Sequence, residues 1–194
     1  MSRVIFDISM SLDGFVTAAG QTPEHPMGEG GLRLVQWAFE GDERDRKIIE
    51  DGIAGLGAVI AGRRTYDHSL PWWGANGPTQ EARVPVFVVT HSAPDEVPDD
   101  GVYTFVSGIE EALRQAREEA GDKYVTVMGG AEIGRQYLRA GLVDELSLHV
   151  VPVLFGSGTR MFENTVSEHV DLEVVDLVTT HAAAHLRLHV KRSR

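Results

Sequence analysis

The residues of this chain best suited to chemistry are two pairs, Arg63-Arg64 and Gly129-Gly130, and the chemistry they suit is anion binding. Gly62-Arg63-Arg64-Thr65 follows an apolar run and opens a helical segment. Cations at a helix start oppose the helix dipole, and a bound anion relieves that conflict. Gly129-Gly130 stands in the same way between an apolar run and a helical segment, within Met128-Gly129-Gly130-Ala131-Glu132. Glycine lets a pyrophosphate approach the backbone closely, and the helix N-terminus adds free N–H groups and partial positive charge. The pair is not a full G-x-G-x-x-G, so a tight strand-to-helix turn without a ligand is the plain alternative. For the arginines the alternative is two solvated charges among many carboxylates. Thr90-His91-Ser92 closes another apolar run and offers further donors to an anion. Gly156-Ser157-Gly158, ahead of Arg160, suits a substrate phosphate or a flexible turn equally well.

The carboxylates and histidines are less decisive. Asp13 sits in the turn Ser11-Leu12-Asp13-Gly14, where aspartate commonly serves the turn itself. Its chemical reading is a catalytic or substrate-holding carboxylate. Asp42, Glu43 and Asp45 open a helix, where acids suit the dipole, and Asp45 is carried as a candidate proton donor. His181, His185 and His189 invite a metal reading. The segment from Ala184 to Val190 alternates like a strand, however, and sets Arg187 between His185 and His189 on one polar face. An arginine among ligands argues against a metal, and none is expected. His149 alternates with Leu148 and Val150, which points it at a cleft or a subunit interface. Trp72 and Trp73 read as packing or loop anchors.

These residues need strand ends and helix starts to hold them. Val4 to Met10, Ala58 to Ala61, Val84 to Thr90, Val102 to Val106, Tyr124 to Met128 and Glu145 to Val151 read as strands. Leu172 to Val178 and His185 to Val190 read as two more. Helices are expected over Leu32 to Phe39, from Asp42 as N-cap to about Ala54, and from Arg63 to the break at Pro71-Trp72-Trp73-Gly74. Two more follow, one after the capping-box spacing Ser107-Gly108-Ile109-Glu110, one over Ala131 to Ala140 with Gly141 behind it. Thr17 to Gly31 is a long glycine- and proline-rich loop, either a lid or a surface excursion. Strand and helix alternate through the middle and strands alone close the chain. That predicts an α/β fold with a mostly parallel central sheet and an antiparallel C-terminal hairpin.

Composition bounds the rest. The 194 residues fit a single domain over 1–194, and 42% hydrophobic residues can fill its core. A net charge of −11 weighs against nonspecific nucleic-acid binding. No apolar stretch approaches the ~20 residues that span a bilayer, so no membrane partner is expected. The start lacks a signal peptide's apolar stretch, which favours the cytoplasm. Without cysteine there are no disulfides, thiolate zinc sites or cysteine nucleophiles.

Taken in order, Ser11-Leu12-Asp13-Gly14, Gly62-Arg63-Arg64-Thr65, Gly129-Gly130 and Leu142-Val143-Asp144-Glu145-Leu146 with Pro152-Val153-Leu154 resemble one family. It is the C-terminal reductase domain of bacterial bifunctional riboflavin-biosynthesis deaminase/reductases, within the dihydrofolate reductase-like fold. The resemblance covers nearly the whole chain and implies a three-layer sandwich. It implies hydride transfer from NADPH to a pyrimidine or pterin-like heterocycle, similar to 5-amino-6-(5-phosphoribosylamino)uracil reductase. The alternative is a dinucleotide- or pyrimidine-binding protein without turnover. By this resemblance Gly62, Arg63, Arg64 and Thr65 meet the adenosine-side phosphates, and Thr90, His91 and Ser92 line the adenosine end. Met128, Gly129, Gly130, Ala131 and Glu132 meet the pyrophosphate, Ser9 and Val16 flank the nicotinamide, and Asp13 lies near it. A homodimer through the final strands is also implied. Two departures stand out: Met128 replaces the glutamate usual before the glycine pair, and Thr17 to Phe39 exceeds the corresponding loop of dihydrofolate reductase.

Overall fold

Alternation of apolar residues sets both faces of the main sheet in the computed structural model, which describes residues 2–163, 165 and 169–191. Its strands, in chain order, are β1 (Val4–Ser11), β2 (Phe15–Ala18), β3 (Leu56–Gly62), β4 (Val86–Val89) and β5 (Tyr103–Val106), then β6 (Tyr124–Met128), β7 (Glu145–Val151), β8 (Gly158–Arg160), β9 (Leu172–Thr179) and β10 (Ala184–Val190). Eight of them join in the order β5-β4-β3-β6-β1-β7-β10-β9. From β5 to β7 every pairing is parallel, and β10 pairs antiparallel with both β7 and β9. The expected parallel sheet with an antiparallel hairpin is what forms. Because the central strands are parallel, Ser11, Gly62, Val89 and Met128 end on one edge, where α/β sheets receive ligands.

The helices are α1 (Gln36–Glu40), α2 (Glu43–Gly55), α3 (Arg63–Trp73), α4 (Ile109–Ala120) and α5 (Ala131–Arg139). On one face, Val4, Phe6, Ile8, Ile60 and Val127 pack under α4 and α5, which bury Ala112, Leu113, Ile133 and Tyr137. Each such side chain contributes about 1.5–3 kcal/mol by leaving water. On the other face α3 packs Tyr66 on Val59 and Val88. Beyond it, Leu34 and Trp37 cover Val151 and Ala183. That second face is not uniformly apolar. Asp7, Ser9, Glu145, Ser147, His149, His185 and Arg187 alternate onto it, and the register pairs His149 with both Ser9 and His185.

The α2 start is a reciprocal capping box. Asp42 accepts from Arg44 and Asp45 backbone N–H groups at 2.8 and 3.2 Å, and Asp45 Oδ2 accepts from the Asp42 N–H at 2.9 Å. The capping box expected at Ser107 does not form. Gly108, at φ +88°, is the residue before α4, and no side chain caps it. α3 ends within Pro71-Trp72-Trp73-Gly74 as expected: it takes in Pro71, where a proline near a helix end removes few hydrogen bonds, and stops at Trp73 before Gly74. The loop after Thr17 is better ordered than its composition suggests. Its first residues form β2, which pairs with β8 in a small separate sheet, and Ala18 donates to Met27 O at 2.8 Å.

Candidate active site

β3 and β6 are neighbours, so the helices that follow them start side by side. Neither Gly62, before α3, nor Gly130, before α5, is accompanied by a capping side chain. The two helix starts therefore present N–H groups and positive partial charge at one spot. Thr65 stitches them together, its Oγ1 accepting from the Gly130 N–H at 3.0 Å. The two glycines of the pair have different reasons to be glycine. Gly129 sits at φ +102°, and a Cβ there would overlap the Thr65 side chain. Gly130 has an ordinary φ of −74°, and a Cβ would meet only Thr65 Oγ1, at 3.6 Å. The protein itself does not demand glycine at 130.

The arginine pair divides its work. Arg63 donates from Nε to Asp67 at 2.7 Å and from Nη1 to Ser92 O at 2.9 Å. Its guanidinium thereby ties α3 to the segment after β4. Arg64 is exposed and has no ion pair or hydrogen bond among the described residues, so it is the arginine open to an anion. Thr90 joins the same tie through Ser92 O at 2.8 Å, with His91 exposed beside it. Ala131 is buried, Met128 half-buried, and Glu132 lies on the outer side of α5 against Gln136.

At the end of β1, Asp13 is spent on the loops. It accepts from Ser11 Oγ at 2.6 Å, from the Phe155 N–H at 3.2 Å and from the Gly156 N–H at 2.7 Å. The Ser11 hydroxyl first, then those two N–H groups, hold its carboxyl down at about 2. These three contacts make Asp13 the residue that holds the turn. Of the expected substrate turn, the Gly156 N–H is engaged by Asp13, Ser157 is exposed, and Gly158 lets β8 lie against β2, where a Cβ would overlap Thr17 O. Val16 is buried in the core. Ser9 accepts from Trp37 Nε1 at 2.9 Å.

What the sequence did not reveal is a line of four ionisable side chains on the second face. Asp45 Oδ1 lies 2.9 Å from His185 Nε2. His185 Nδ1 lies 2.8 Å from His149 Nδ1, and His149 Nε2 lies 3.1 Å from Asp7 Oδ2. Trp37 covers both imidazoles, with ring centroids 4.3 and 4.8 Å away. Burial and the neighbouring His149 hold His185 below the ordinary imidazole value, against the pull of Asp45. Burial would raise Asp7, but the charge of and hydrogen bonds from His149 and Ser147 outweigh it and hold that carboxyl below its usual range. Three corrections follow. His149 faces neither cleft nor subunit interface but the protein interior. His185 lies beneath Trp37 rather than at a sheet edge. Asp45 is enclosed and cannot itself meet a substrate. Only the strand alternation around His149 and His185, with an acid at the third residue of α2, hinted at the line.

The model of the RibD C-terminal domain family matches residues 2–186. Among curated proteins, the uncharacterized protein YwjB of Bacillus subtilis (strain 168) is 25% identical over 166 residues, 86% of each chain. YyaP of the same organism is 23% identical over 188 residues, 91% of this chain and 88% of that one. Among solved structures, a putative riboflavin biosynthesis protein from Shewanella sp. PV-4 superposes with a TM-score of 0.73 at 20% identity, covering 99% of this chain and 100% of that one. The deaminase/5-amino-6-(5-phosphoribosylamino)uracil reductase of Thermotoga maritima gives 0.69 at 16% identity, covering 98% of this chain and 57% of that one. An Enterococcus faecalis dihydrofolate reductase complexed with NADP(H) gives 0.63 at 17% identity, with 98% and 97% covered. At these identities the structures establish the dihydrofolate reductase-like fold.

Proposed function

Because the chain belongs to the RibD C-terminal domain family, we propose that it is an NADPH-dependent reductase acting on a small pyrimidine or pterin-like heterocycle. One observation carries the reading: two uncapped helix starts at adjacent strand ends, with an open glycine at 130 and an unpaired arginine at 64. This set fits a dinucleotide. The Gly130 backbone and the α5 start would hold the pyrophosphate, and Arg64 the phosphate on the adenosine ribose. The bound cofactor would supply the hydride. Ser9, near the end of β1 one strand away, would flank the ring to be reduced. The relatives named as riboflavin biosynthesis proteins and uracil reductase support a ring of that class. No helix among the described residues is long and apolar enough to cross a membrane, in keeping with a cytoplasmic enzyme.

Fluorescence titration with NADPH and NADH, followed by a screen of pterins, folates and ribosylamino-pyrimidines for NADPH oxidation, tests the proposal. NADPH binds more tightly than NADH. Arg64→Ala weakens NADPH by about 10- to 100-fold, from the ~1.5–3 kcal/mol of one charge-assisted contact, and leaves NADH within a few-fold. Absence of binding for both cofactors defeats the reading; equal losses for both would move Arg64 away from the ribose phosphate.

Assembly follows from β9 rather than from the histidines of β10. β9 is the outer strand of the sheet, and Val174 and Val175, which point to opposite faces, are 66% and 54% exposed. Leu172 and Leu177 extend the apolar surface. An open apolar edge of eight residues invites strand pairing, and a second copy of the chain covers it. Light scattering at micromolar concentration is expected to give twice the 21.2 kDa chain mass. Paired substitution of Val174 and Val175 by lysine should halve it. A single-chain mass for the unaltered protein at every concentration rules the dimer out.

A further inference from the structure

The line of four side chains has a proton count that does not balance in its ordinary form. Asp45, His185, His149 and Asp7 meet at three contacts, and each contact needs one hydrogen between its two heavy atoms. Two ionised carboxylates and two neutral imidazoles bring only two. With His185 Nε2–H donating to Asp45, His185 Nδ1 must accept, so His149 Nδ1–H donates. That leaves His149 Nε2 with a bare lone pair against the Asp7 carboxylate. One further proton resolves the clash, and burial makes leaving it unresolved costly. A shared metal does not explain the pair of imidazoles. Two nitrogens on one zinc stand roughly 3.3 Å apart, wider than the 2.8 Å between the Nδ1 atoms.

The four groups are not equally enclosed. The side chains of Asp45, His185 and His149 are 1%, 6% and 5% exposed, and that of Asp7 is 38% exposed. Asp7 pairs in register with Met128, the residue before the glycine turn, and lies two residues from Ser9 on the same face. The open end of the line is therefore on β1, next to β6, the strand whose end carries the glycine turn.

We infer that these four residues store one proton on the imidazole pair, and that Asp7 delivers it to the ring being reduced. The inference rests on the reductase reading for its last step. Reduction of a C=N or C=O bond consumes a hydride at carbon and a proton at the heteroatom. At rest Asp7 is a carboxylate and the proton sits on the imidazoles. The His149 Nε2–H bond breaks as an Asp7 O–H bond forms across their contact. The carboxyl then turns toward the substrate. As hydride bonds to the carbon, the π pair moves to nitrogen or oxygen, which takes the Asp7 proton and leaves a carboxylate. The line, now one proton short, regains it from water at the same open oxygen. Tyr124 on β6, Glu145 on β7, Arg187 and His189 on β10, Asp42 on α2 and Arg3 are the other ionisable groups facing this surface. Glu145 is held by Arg3 and Arg187 at 2.7 and 2.6 Å, which takes it out of the proton count.

Histidine-labelled protein, read by long-range nitrogen–proton NMR at pH 7, tests the store without any substrate. His149 and His185 should carry three ring N–H protons between them. In Asp7→Asn they should carry two, because the carboxamide N–H then donates to His149 Nε2. Asp45→Asn should give the same count from the other end, should Asp7→Asn prove unfolded. Two ring protons in the unaltered protein overturn the store. Delivery is read from turnover: Asp7→Asn should lower kcat at least 100-fold, with the NADPH dissociation constant within threefold. Undiminished kcat in that variant overturns delivery even where the store stands. Failure of the unaltered protein to bind NADPH instead defeats the reductase reading, and delivery with it, while the ring-proton count still decides the store.

Discussion

Replacing Asp45 by alanine is expected to lower the midpoint of thermal unfolding by about 6–20 °C at pH 7. The carboxylate is enclosed and works at both oxygens, Oδ2 in the α2 capping box and Oδ1 on His185. Its removal frees the Asp42 N–H and leaves the imidazole pair with a charge and no partner on one side. Breaking a buried charged contact from one side costs about 3–5 kcal/mol, and in a chain of this size each kcal/mol moves the midpoint by roughly 2–4 °C. Asp45→Asn keeps the shape and one acceptor, and should lose less than half as much. Circular dichroism melts of the three proteins decide it. A change under about 2 °C for alanine would mean that water or a neighbour takes over the contact. The shift at Asp7 gives its pH dependence a sign. Asp7 is held below its ordinary value, so the unfolded chain binds the proton more tightly there. The stability Asp7 contributes is present at neutral pH and is lost on acidification below about 4.

The second large effect is expected at Gly130, where valine should weaken NADPH binding at least 100-fold in a protein that still folds. The backbone there is unstrained and a Cβ has room against Thr65, so folding tolerates the branch. The space it fills is the space a pyrophosphate would use to reach the N–H groups at the start of α5. Gly129→Val is the contrast. A positive φ and overlap with Thr65 make that change damaging to the fold itself, with strain of about 1–3 kcal/mol before any ligand is considered. Normal NADPH binding by a folded Gly130→Val protein would defeat the placement of the pyrophosphate. Similar loss of stability in both variants would show that the two glycines share one structural reason.

The parts legible in the sequence were those governed by local rules. Dense apolar runs gave the central strands within one or two residues, and Asp42 gave the start of α2. Gly141 marked the end of α5, where φ is +64°. The helix starts at Gly62 and Gly130 were legible because glycine and arginine are unusual there. What escaped depends on partners far away in the chain. β2 looked like part of a loop because its apolar residues gain a partner only in β8, some 140 residues later. The tie from Arg63 escaped because Ser92, which accepts from its guanidinium, sits beyond the next strand. The Asp13 acidity comes first from Ser11 in its own turn and then from Gly156 and Phe155, far along the chain. The buried line required three strands and a helix to converge, and no spacing within the chain encodes that.

A line of hydrogen bonds with an odd proton behaves as one heritable unit. Asp7, Asp45, His149 and His185 lie on four separate elements, yet a change at any of them alters a parity that the other three must accommodate. An amide at one end restores balance by itself, whereas an apolar residue at one histidine strands the fragments on either side. Substitutions here should therefore combine non-additively. Drift through these positions is confined to a few ordered routes, in which an end changes before the middle can.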